Sequence, residues 1–124
     1  MSENRPLRDK IQKYVDEVMS LDAVTSCAIV SRSGHIMGRQ MDEGVSAPSF
    51  AAMAATMLAS SEGASSILHL SPPSYVVAEM ADAILIICSA GKNALITVII
   101  NNQSDVHSVK NSLAGICGRI GEEL

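Results

Sequence analysis

The chain has 124 residues, 48% of them hydrophobic and 18% charged, enough to fold as one domain over residues 1–124 and too short for a second core. Nine Lys and Arg against thirteen Asp and Glu give a formal net charge of -4, which excludes a grip on phosphate backbones built from clustered cations. Two Tyr, one Phe and no Trp leave no base-stacking platform, so nucleic acid is not an expected partner and the core must come from Ala, Val, Ile, Leu and Met.

The polar start, Met-Ser-Glu-Asn-Arg-Pro, does not read as a secretory signal, and a cytoplasmic location is expected. Leu7, Ile11, Tyr14, Val15 and Val18 recur at helical spacing, with Arg8, Lys10, Lys13, Asp16 and Glu17 turned elsewhere. That spacing predicts a helix over 5–20 with one wet face, Asn4 placed to cap it and Pro6 tolerated in its first turn. Strands are predicted over 25–31 and 35–41. The Ser33-Gly34 pair between them favours a tight hairpin, because Gly accepts positive φ at no steric cost.

A long helix is predicted over 46–70. Phe50, Met53, Met57, Ala64 and Leu68 form one stripe on it, and Ala51, Ala54, Ala55, Leu58 and Ala59 cover much of the rest. A helix apolar on several sides is buried on more than one, and its alanines let another helix approach closely. The uncharged run Gly44 to Ser61 is mostly Ala and Ser and contains Pro48, so it reads as a buried soluble helix and not as a membrane span. Ser71-Pro72-Pro73 is expected to terminate the helix.

Three strands follow, over 74–80, 83–89 and 94–100, with turns at Ala81-Asp82 and Ala90-Gly91-Lys92-Asn93. The runs Ile84-Leu85-Ile86-Ile87 and Leu95-Ile96-Thr97-Val98-Ile99-Ile100 do not alternate, so both faces of those strands need cover. The polar stretch Asn101 to Asp105 suits the cap of a last helix over 104–122, where Val106, Val109, Leu113, Ile116 and Ile120 recur every three or four residues. The expected fold class is α+β: one antiparallel five-stranded sheet sandwiched by three helices, in the order α-β-β-α-β-β-β-α.

Catalytic chemistry has no foothold in these patterns, and no enzyme activity is expected. Cys27, Cys88 and Cys117 lie far apart with no CxxC pair, and the expectation is buried reduced thiols. His35, His69 and His107 fall in a turn, a helix end and another helix, without metal-ligand spacing, so neither a metal nor a cofactor is expected. No G-x-S-x-G elbow frames a serine. Gly115, Gly118 and Gly121 lie within the last helix and not in a strand-to-helix phosphate turn.

The succession of elements, at this length, resembles the roadblock/dynein light chain family of profilin-like sandwiches, over about Leu7 to Ile120. The stretch from Leu21 to Gly34 is similar to the family's leading loop, first strand and hairpin. Ala51 to Leu58 is similar to its small-residue central helix, and Ile84 to Ile87 with Gly91 and Leu95 to Ile99 to its paired central strands. The family often has Gly where Ala23 stands, Asp or Asn at Ser33, and an apolar residue at His35. The resemblance implies a dimer in which central helices pack together and third strands pair edge to edge. It also implies service as a scaffold or regulator of Ras-like small GTPases, or as a dynein light chain. Arg32 and Arg39, at the hairpin, are the candidates for an arginine finger, against the plainer reading of two solvated arginines.

Residue patterning points to the same surface. Between Gln40 and Gly91 there is no Lys or Arg, and the third strand carries one charge, Glu79. Edge strands are normally guarded by Lys, Pro or bulges, so this one is expected to be covered by a second copy. The competing reading is a chance charge gap in a helix packed only on its own sheet. The expected dimer interface comprises Met53, Ala54, Met57, Ser60, Ser61 and Ala64 on the helix and Tyr75, Val77 and Glu79 on or near the strand. The expected function is a non-enzymatic homodimeric regulator of a Ras-like small GTPase. A profilin-like small-molecule sensor, with Thr97, Cys88 and His69 converging on a ligand, and a purely structural light chain are the alternatives.

Overall fold

The computed structural model describes residues 5–124, so the Asn4 cap lies outside the described residues. In chain order the elements are α1 (Arg5–Met19), β1 (Val24–Ser31), β2 (Ile36–Gln40), α2 (Ala47–Ile67), β3 (Tyr75–Glu79), β4 (Ala83–Ala90), β5 (Ala94–Asn101) and α3 (Val106–Glu123). The strands form one antiparallel sheet in the order β2-β1-β5-β4-β3. The two non-alternating runs become β4 and β5, inside the sheet with cover on both faces, as their composition demands.

The two layers differ in the size of their side chains. On one face α1 and α3 bury large side chains, among them Ile11, Val15, Val18, Leu113, Ile116 and Ile120, against Ile29, Ile86, Ile96 and Val98. Leu7 sits outside this core, half-exposed at the start of α1. Arg119 of α3 grips the Glu17 carboxylate of α1 with both guanidinium nitrogens, and Lys10 lies 3.6 Å from Glu123. On the other face α2 lies alone and contributes chiefly alanines: Ala51, Ala54, Ala55 and Leu58 pack on Ala28, Val30, Leu85, Ile87 and Leu95. One helix with small side chains cannot cover five strands.

Local chemistry sets the ends of the elements. Gly34 holds a φ of 91° in the β1–β2 turn, and a Cβ there would lie 3.3 Å from the Ala52 Cα, so the hairpin needs glycine on two counts. Asp105 caps α3, its carboxylate accepting from the amides of His107 at 3.0 Å and Ser108 at 3.4 Å. The long central helix stops at Ile67, short of the expected residue 70 and before the prolines act. Its end is a left-handed cap: the amides of His69 and Leu70 donate to the carbonyls of Ser66 and Ser65, with His69 at a φ of 60°. The thiol expectation is also corrected. Cys88 of β4 and Cys117 of α3 form a disulfide, because α3 lays one face directly over β4, and only Cys27 remains free and buried.

Candidate protein interface

The two edges of the sheet are built differently. Strand β2 is interrupted by an irregularity opposite Ile29 and Val30 and carries Arg39, two devices that discourage further pairing. Strand β3 has neither. It is paired in unbroken register with β4, from Tyr75 opposite Cys88 to Glu79 opposite Ile84. The Ser89 amide donates to the Ser74 carbonyl at 3.1 Å and the Met80 amide to the Ala83 carbonyl at 2.9 Å. Backbone groups alternate sides along an antiparallel strand, so residues 74, 76, 78 and 80 bond β4. The amides and carbonyls of Tyr75, Val77 and Glu79 therefore face the open edge. These are the three strand residues expected from the sequence.

Their side chains point away from α2, toward the face that α3 covers. The Tyr75 hydroxyl donates to the Lys110 carbonyl at 2.9 Å, and the Lys110 ammonium lies 5.1 Å from the ring centroid. Burial pushes the Tyr75 hydroxyl above its ordinary pKa. Val77 lies beyond the end of that cover, 37% exposed. On the α2 side of the same strand sit Val76 and Ala78, half-buried beside the cluster that includes Met57. They were missed in the sequence, although alternation about Val77 places them on the face nearest the helix.

Along α2, Met53, Ser60 and Ala64 turn outward, and Met57 and Ser61 lie half-buried on the flank. Ala54 does not belong with them: it is 1% exposed and packs on the subunit's own sheet, because one residue past Met53 turns the helix 100° toward the core. Ile67, 78% exposed, continues the outward face one turn past Ala64 and was not foreseen. Among the described residues, seven of the eight exposed large hydrophobic side chains lie between Val45 and Met80, the cation-free segment. Exposed apolar side chains gathered on α2, the segment after it and β3 make this the candidate contact surface of the chain.

The other candidate chemistry is dispersed. Arg32 is tied down: its guanidinium donates to the Glu62 carboxylate at 2.8 Å, the Ser89 hydroxyl at 2.8 Å and the Gly91 carbonyl at 3.0 Å. It clasps the β1–β2 hairpin to α2 and to the β4–β5 turn, and so is not free to act as a finger. Thr97, Cys88 and His69 do not converge. Thr97 is fully buried on β5, Cys88 is bonded on the α3 side and His69 is exposed beyond α2. Among the described residues no three His, Cys, Asp or Glu side chains are grouped to hold a metal, and no helix is long and apolar enough to cross a membrane. Gly121 owes its place to the backbone of Gly91, whereas Gly115 and Gly118 have open space beside them.

An antiparallel sheet with two helices on one face and a single Ala-rich helix on the other defines the profilin-like class of sandwich, and Schizosaccharomyces pombe profilin shares the fold. Profilin is 14% identical with a TM-score of 0.67, over 88% of this chain and 94% of that one. Within the class, residues 10–100 match the Roadblock/LC7 domain, and the chain belongs to that family. The fold is similar to that of Myxococcus xanthus MglB, 16% identical with a TM-score of 0.85 over 93% of this chain and 87% of that one. It is similar too to a Roadblock/LC7 domain from Streptomyces avermitilis, 20% identical with a TM-score of 0.76, over 85% and 88% of the two chains. No curated protein matches the chain significantly in sequence.

Proposed function

We propose that the chain is a non-enzymatic homodimer whose joined α2 helices form a platform for a Ras-like small GTPase. The observation that carries this is the bare β3 edge beside an apolar helix face without a single cation. Family membership supports a GTPase as the partner. The chain has no phosphate-binding loop of its own, so GTP chemistry would belong to that partner.

The β3–β4 register supports one arrangement of the proposed dimer. The outward backbone groups of Tyr75, Val77 and Glu79 are symmetric about Val77, so a twofold axis there pairs Val77 with the partner's Val77 and Tyr75 with the partner's Glu79. The two Glu79 carboxylates then stand about four residues apart along the strands, roughly 13 Å, and do not repel closely. Ten strands become one sheet, and the second α2 fills the space over Val76 and Ala78 that the first leaves half-covered.

The test of function is kinetic. Nucleotide release and GTP turnover of a candidate small GTPase are measured with and without this chain, and again with the interface variants described below. The expected result is a change in one of the two rates that is lost in a monomeric variant. Binding without any change in either rate would leave a scaffold, and absence of binding would remove the GTPase from the account.

A further inference from the structure

The Cys88–Cys117 bond is used by neither the interface nor the GTPase platform, and its position connects it to the edge strand. The two residues are 3% and 5% exposed and lie 6.9 Å apart at Cα. They line a cleft of about 630 Å³ that opens between α3, the β4–β5 turn and the loop before β3. One stripe of α3 makes three attachments along this seam. Gly121 meets Gly91 backbone to backbone, so closely that a Cβ on Gly91 would lie 2.7 Å from the Gly121 Cα. Cys117 bonds Cys88. Lys110 receives the Tyr75 hydroxyl and covers its ring. Tyr75 is also the residue directly opposite Cys88 in the β3–β4 register. The sulfur bridge therefore stands immediately behind the first residue of the edge strand, and the same helix holds that residue's side chain.

We infer that Cys88 and Cys117 are a redox-responsive staple that fixes α3 to the sheet and thereby sets how firmly β3 is held for pairing with a second copy. The regulatory half of this rests on the dimer proposed above; the staple itself does not. Closing the bond takes two protons and two electrons from the two thiols. A small disulfide such as oxidised glutathione accepts them by exchange through a mixed disulfide and departs as two thiols. The cleft is the side from which an oxidant would approach sulfurs that are otherwise hidden. In reducing surroundings such a bond forms transiently, which suits a sensor. Cys27 is excluded as a participant, being free and buried on β1.

The chain is equilibrated in glutathione buffers from fully reduced to fully oxidised, and three quantities are read: free thiols after denaturation, the thermal midpoint, and the dimer dissociation constant by sedimentation. Free thiols should fall from three to one on oxidation. The midpoint should rise by on the order of 10 °C, and the dissociation constant should fall by about fivefold or more. Cys117→Ala and Cys88→Ala, each checked for native circular dichroism, should lose all three responses, and Cys27→Ala should keep them. Retention of three thiols in the oxidised buffer would overturn the staple. Loss of two thiols with an unchanged dissociation constant would overturn the regulation. A chain monomeric in both buffers would overturn the interface and the regulation together, with the thiol count still deciding the staple.

Discussion

His69 holds a φ of 60° at the position where a left-handed helix cap ordinarily places glycine, and it carries exposed Leu68 and Leu70 on either side. His69→Gly should therefore raise stability by about 0.5–1 kcal/mol, read as a higher urea midpoint with an unchanged slope. Arg32 carries a different load. Removing its three hydrogen bonds in Arg32→Ala should cost about 2 kcal/mol, because Glu62 is left without its cation in a half-buried place. Cys27 gives a pH signature. Burial pushes its thiol from 9.0 up to about 12, so the folded state keeps a proton that the unfolded chain gives up. Stability from this group is complete below about pH 9 and is lost as the pH rises toward 12, and Cys27→Ala should flatten that part of the pH–stability curve. None of these three environments was legible as a motif. His69 looked like part of the helix, Arg32 like a solvated turn residue and Cys27 like either of the other cysteines, because each depends on contacts 12 to 59 residues away or on one backbone angle.

Among the elements, α2 was legible in existence but not in orientation. Its periodic stripe of Phe50, Met53, Met57, Ala64 and Leu68 is real, and most of it faces outward or lies at the flank. With alanine on the core side and methionine on the outer side, hydrophobicity alone does not say which is which. In the sequence Ala54 therefore reads as a neighbour of Met53 and Met57 on one face. Strand β3 was legible in a stronger sense. The family resemblance implied an edge, the absence of Lys and internal Pro marked that edge as unguarded, and the structure adds which backbone groups it presents. Val77→Pro is the sharpest test at this scale, because the Val77 amide bonds nothing within its own subunit. The variant should fold, with circular dichroism unchanged, and sediment as a monomer. Met53→Glu should weaken the dimer by about tenfold or more while leaving the subunit's thermal midpoint within a few degrees, since Met53 is 60% exposed in the isolated chain.

At the scale of the whole molecule, the sheet separates two regimes. One side is closed by α1 and α3, with large side chains, ion pairs between the helices and a disulfide to β4. The other is thinly closed by one Ala-rich helix and ends at a strand edge that nothing guards. The order of elements and the sandwich could be read from periodicity, because both depend on local spacing. Pairing of Cys88 with Cys117 could not, because it depends on which strand α3 crosses. The central claim is that β3 joins a second β3 at Val77, and residue-resolved amide hydrogen exchange tests it most directly. In the assembled protein the amides of Tyr75, Val77 and Glu79 should be protected to the same degree as those of Val76 and Ala78. Rapid exchange at Val77 and Glu79 beside slow exchange at Val76 and Ala78 would be the pattern of a solitary subunit with its edge in water, and would contradict the account.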